Sequence, residues 1–182
     1  MLHYLKLMLQ ILMAPQRGWE DVEADGESSR HTLLYGLLPL VSIAAVSVGL
    51  SAFYELHPSA TRLLVRAIVV FASYTISYFI GVALLTYTLP RICPDSLTDR
   101  EHIEIFCAYC TGMMAAIGIL QNLLPMELTL LQFLPIYVVV VICLGRNFVG
   151  VSENYIFRFA AAAITGIILP VYLIGHLLLP AA

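Results

Sequence analysis

Five apolar runs, at residues 32–54, 67–89, 102–124, 128–145 and 159–179, constrain this chain more than anything else in its sequence. A helix rises about 1.5 Å per residue, so about twenty residues are enough to cross a hydrocarbon core of about 30 Å. Lipid offers the backbone no hydrogen-bond partners, so a spanning segment of this kind folds as a helix. The expected fold is all-α: a polytopic membrane protein of five transmembrane helices preceded by an N-terminal amphipathic interfacial helix. Composition agrees, because 60% of the 182 residues are hydrophobic and only 12% are charged, against about 25% charged in an ordinary soluble domain. Residues 1–31 form the longest segment outside the runs, too short for a separate catalytic or nucleotide-binding domain.

That first segment divides in two. Leu2, Leu5, Leu9, Leu12 and Met13 recur at helical spacing, which predicts a cytoplasmic amphipathic helix with that face in the membrane interface. The n-region is weak, Pro15 follows at once and no small-x-small site precedes Trp19, so no cleaved signal peptide is expected. Glu20 to Glu27 then carries five acids in eight residues and reads as a solvated linker. Thr98-Asp99-Arg100-Glu101 has capping-box spacing at the start of the third run. With the N-terminus cytoplasmic, Lys6, Arg17, Arg30, Arg91, Arg100, Arg146 and Arg158 lie inside and only Arg62 and Arg66 outside. Seven bases against two satisfy the positive-inside rule and place the C-terminus outside the cell's inner membrane.

A net charge of −3 without a Lys/Arg cluster excludes a nucleic-acid partner. The remaining residues suggest four constellations. Leu134-Pro135-Ile136-Tyr137 and Leu169-Pro170-Val171-Tyr172 echo one another in the last two runs. Each proline deprives a carbonyl four residues back, Leu131 or Gly166, of its amide, so Pro135, Tyr137, Pro170 and Tyr172 with those carbonyls form a candidate midplane pocket. Cys107 and Cys143 stand at equal sequence distance from Pro125, with Cys110 one turn away, a weak candidate soft-metal set for copper or zinc. Tyr74, Ser77, Tyr78 and Gly81 share one helix face, and Gly112 with Ala116 and Ala162 with Gly166 are small-x-x-x-small pairs suited to helix packing. Trp19, Arg66 and His176 fall where a membrane interface is expected. No Gly-rich phosphate loop, zinc helix or nucleophile elbow is present, so no enzyme activity and no cofactor are expected.

Pro15-Gln16-Arg17-Gly18-Trp19-Glu20-Asp21-Val22 after an amphipathic start, five runs, Phe106 to Tyr109 opening the third and Leu134-Pro135-Ile136-Tyr137 with Leu144-Gly145 in the fourth together resemble the Yip domain family in its short bacterial form. That resemblance covers nearly the whole chain and implies the five-span topology. Eukaryotic members act in Golgi traffic and bind prenylated small GTPases. Their Asp-Leu-Tyr-Gly-Pro signature does not occur in this chain, so GTPase binding is not carried over. The expected function is a non-enzymatic scaffold or membrane organiser, partnered by lipid and by a second copy or other membrane proteins. The alternatives are a small ion or solute transporter using kinked fourth and fifth spans, and a soft-metal binding protein.

Overall fold

The computed structural model describes residues 1–53, 59–93, 99–124 and 133–178. Its secondary structure there is helical throughout: α1 (Leu2–Met13), α2 (Pro15–Asp25), α3 (Ser29–Phe53), α4 (Ala60–Ile92), α5 (Arg100–Leu123), α6 (Leu134–Leu144) and α7 (Glu153–Leu178). Four of these, α3, α4, α5 and α7, are long and apolar enough to cross a membrane. The sequence predicts a fifth span at residues 128–145. Its described part is the eleven-residue α6, about 16 Å long, while Leu131 and the Pro125 turn lie outside the described residues. Thr98 and Pro58 also lie outside them; Asp99 caps α5 itself, its side chain accepting from the Glu101 amide.

At the centre stands α5, buried on nearly every side from Ile103 to Ile117. Small residues make that possible, since Cys107, Ala108, Cys110, Thr111, Gly112 and Ala115 keep the helix thin enough for α1, α3, α4 and α6 to close on it. In contrast α3, α4 and α7 turn Ile43, Val46, Ile68, Phe79, Phe157 and Leu173 outward, as helices do when lipid is their outer solvent.

Two prolines shape the long helices by the same device. Pro39 and Pro170 each follow a π turn, Thr32–Leu37 in α3 and Ile164–Ile168 in α7. The Leu38 amide bonds five residues back to Leu33, and the Leu169 amide likewise to Ile164. Widening the helix by one residue per turn just before a proline relieves the clash of its ring with the preceding turn. The structural echo therefore pairs Leu169-Pro170 with Leu38-Pro39. Pro135 lies in the first turn of α6 as described, a position where a helix tolerates proline's missing amide.

The N-terminal segment departs most from expectation. Residues 15–25 continue as helix through most of the acidic stretch, because Gly18, Trp19 and Val22 share one buried face that packs on α1 and α6. Gly26 then ends α2 with φ 63°, a left-handed turn that glycine adopts without strain. In α1 the buried stripe is Tyr4, Leu7, Met8 and Ile11, packed against the bundle. Of the stripe assigned to the membrane interface, Leu2 and Met13 stay 85% and 87% exposed, while Leu5 and Leu12 pack against the core edge. This helix is apolar on two faces: one meets protein and the other is free for lipid.

Candidate functional site

The densest convergence of side chains lies where the α1–α2 hairpin enters the bundle. Tyr4 is 3% exposed. Its ring stacks on Tyr109 at 4.7 Å between centroids and its hydroxyl donates to the Ala108 carbonyl at 2.8 Å. Two glycines on two long helices make room for it. A Cβ at Gly36 would come within 2.5 Å of the Tyr4 ring, and one at Gly112 would collide with the Tyr4 hydroxyl. Burial pushes the Tyr4 phenol well above its ordinary pKa, with Tyr109 and Cys110 adding to the effect, so it stays a neutral donor.

Trp19 enters beside it. Also 3% exposed, its ring stacks on Phe106 at 5.2 Å and Phe148 at 5.1 Å, and meets Tyr109 edge-on at 6.1 Å. The indole N–H donates to the Val141 carbonyl on α6 at 3.4 Å. Phe106 in turn lies 5.5 Å from Phe159 on α7, so one run of aromatic contacts links α1, α2, α5 and α7. Trp19, expected at a membrane interface, is enclosed by protein: rings and a carbonyl satisfy both its apolar body and its N–H.

Polar side chains rim this mouth. Glu101 accepts from the Ser29 amide at 3.1 Å and Glu104 from the Ser29 hydroxyl at 2.7 Å, while Arg100 Nε donates to Glu104 at 2.9 Å. At the start of α3 the Glu101 carboxylate satisfies one orphan amide and both carboxylates favour the helix dipole, which ties α3 to α5. Across the hairpin, His3 Nε2 stands 2.9 Å from both oxygens of Asp25, and His31 Nδ1 lies 3.2 Å from Glu27.

The described residues of the candidate midplane pocket each have surroundings of their own, and Leu131 lies outside the described residues. Tyr137 donates its hydroxyl to the Leu12 carbonyl at 2.5 Å, satisfying an acceptor at the end of α1. Tyr172 sits half-exposed on α7. Next to buried Pro170, the Ser77 hydroxyl of α4 donates to the Ile167 carbonyl, an internal partner at the π turn. Gly166 meets Gly81 so closely that an added Cβ on Gly166 would lie 2.9 Å from the Gly81 Cα. Tyr74 reaches the Met114 carbonyl at 3.2 Å, and Tyr78 is buried on the same helix face. Gly112 receives Tyr4, while Ala116 and Ala162 pack partly buried against the core.

Cys107 and Cys110 are fully buried and Cys143 is partly so. Their three sulfurs do not gather; among the described residues the group with ligand atoms within 4.8 Å of one another is His3, Asp25 and Glu27. Arg66 is half-buried in the second turn of α4, and His176 is exposed near the end of α7. An apolar crevice of about 50 Å³ between α3 and α4, lined by Leu33, Leu37, Val41, Thr75, Tyr78 and Phe79, is too narrow for a solute path.

Sequence reasoning missed Tyr4 as an anchor and the His3–Asp25 pair. A signal for the first existed in Tyr4-x-x-Leu7-Met8-x-x-Ile11, a second helical stripe as regular as the one chosen. Nothing local signals the second, since the two residues are 22 positions apart. Compared with known proteins, the chain matches no family model, no curated protein and no solved structure.

Proposed function

We propose that this chain is a non-enzymatic multi-pass protein of the bacterial inner membrane, a scaffold or membrane organiser resembling the Yip family. Its partners are lipid and a second copy or other membrane proteins. The distribution of bases supports a cytoplasmic N-terminus, with α6 and the residues before it completing a fifth crossing that carries the C-terminus outside.

The observation that carries this reading is a filled interior. Phe106, Tyr109, Met113, Val138, Ile142, Phe159 and Ile167 are fully buried in one contiguous core among the described helices. A core of this kind resists deformation and presents a constant outer surface, which suits an organiser. The thiols of Cys107 and Cys110 are buried inside that core.

Reconstitution into ion-loaded liposomes tests the reading. Flux equal to that of protein-free vesicles is expected, together with discrete oligomers or co-purifying partners on cross-linking in native membranes. A saturable flux that Pro135→Ala with Pro170→Ala abolishes would overturn it in favour of a transporter.

A further inference from the structure

We infer that His3, Asp25 and Glu27 form a binding site for a divalent transition-metal ion of the zinc class, which clasps the N-terminal helix to the turn between α2 and α3. The donors come from two distant segments. His3 lies in the first turn of α1, whereas Asp25 ends α2 and Glu27 follows the left-handed Gly26. That turn places both carboxylates before one imidazole nitrogen, His3 Nε2, at 2.9 Å from Asp25 and 3.8 Å from Glu27.

These distances suit a tetrahedral ion. Zinc bonds of about 2.0–2.2 Å separate neighbouring ligand atoms by about 3.3 Å, a value between the two observed, so tenths of an ångström of adjustment would equalise them. Two carboxylates and a neutral imidazole carry a formal charge of about −2, which a divalent cation balances. One nitrogen and two oxygen donors favour zinc over calcium or magnesium, which take oxygen, and over copper(I), which takes sulfur. The fourth position is left to water. His31 holds the other oxygen of Glu27 at 3.2 Å, the type of outer contact that orients a metal-bound carboxylate. The side chains of Asp25 and Glu27 are 25% and 26% exposed and that of His3 is 48% exposed, so an ion can enter from solvent. His3 directly precedes Tyr4, so the ion would pin the chain beside the residue that anchors α1 in the bundle.

The test uses the full-length protein in detergent micelles, stripped with chelator and titrated with zinc chloride by calorimetry. One saturable equivalent per chain is expected, with a rise in the thermal midpoint, and no saturable binding of calcium or magnesium. His3→Ala and Asp25→Asn should each weaken binding at least 10-fold, and His31→Ala about 10-fold; the emission of Trp19, the one tryptophan, verifies that each variant is folded. Cobalt(II) provides a measurement on the unaltered chain: ligand-field bands should appear at one equivalent and vanish on adding zinc. Absence of saturable binding, unchanged affinity in folded His3→Ala and Asp25→Asn, or a sulfur-to-cobalt charge-transfer band placing the metal on cysteine would each overturn the site.

Discussion

The hydroxyl of Tyr4 donates to the carbonyl of Ala108 at 2.8 Å, joining a helix at the N-terminus to the centre of the bundle. Three separated segments shape that contact, because the ring occupies space that Gly36 and Gly112 leave open. It follows that the first helix belongs to the fold and does not merely rest on the membrane. Replacing Tyr4 by Phe keeps the ring and loses the donor, and should cost about 1 kcal/mol. Tyr4→Ala empties the site and should cost about 3–5 kcal/mol. Reversible unfolding in mixed micelles measures both, and equal losses for the two variants would show that the ring carries no packing energy.

The same geometry sets a coupling between Tyr4 and Gly112. An alanine at Gly112 collides with the Tyr4 hydroxyl but would stand 3.1 Å from its ring carbon. Gly112→Ala alone should therefore destabilise by about 1–3 kcal/mol, and by clearly less when Tyr4 is already Phe. A double-mutant cycle reads the difference directly. Strict additivity would contradict the close approach.

Alkaline pH probes the same residue. Folded, the buried Tyr4 phenol holds its proton above the ordinary pKa of 10.0 at which the unfolded chain releases it. Its contribution is complete below pH 10 and is lost as pH rises through the folded value, by up to about 1.4 kcal/mol per unit. The stability advantage of the native chain over Tyr4→Phe should accordingly shrink above about pH 10 and vanish or reverse near pH 11. A difference independent of pH would place that phenol in water.

Topology gives a further check. Four long helices alone return the chain to its starting side, whereas five crossings separate its ends. Under the proposed five-span arrangement, impermeant labels on tags at the two termini should react from opposite faces of sealed vesicles. Reaction from one face would leave α6 as a helix that dips into the bundle without crossing.

How far the fold is legible in the sequence differs from segment to segment. Twenty apolar residues in a row have few ways to satisfy their backbone, so α3, α4, α5 and α7 stand close to their expected positions, α4 extending past its apolar run to Ala60 and Ile92. Helix α1 is apolar on two sides, and periodicity identifies stripes without telling which one meets protein; that choice depends on Gly36 and Gly112, far away in the chain. Pro135 and Pro170 share a local motif yet differ in effect, because one begins a helix and the other follows a π turn inside one. A motif records residue order; the position of a proline along its helix decides whether anything bends. The rim of His3, Asp25 and Glu27 exists only once Gly26 turns the chain and α1 docks.

The N-terminal hairpin is packed into the protein, and Trp19 reports on that docking without labelling because it is the one tryptophan. Its fluorescence should be measured in liposomes with acrylamide in the water and, separately, with lipids brominated at shallow depth. Enclosed by Phe106, Tyr109 and Phe148 at 3% exposure, it should emit at short wavelength and resist both quenchers, and Tyr4→Ala should restore access. Strong quenching of the unaltered protein by the shallow brominated lipids would show an interfacial tryptophan and contradict the docked hairpin.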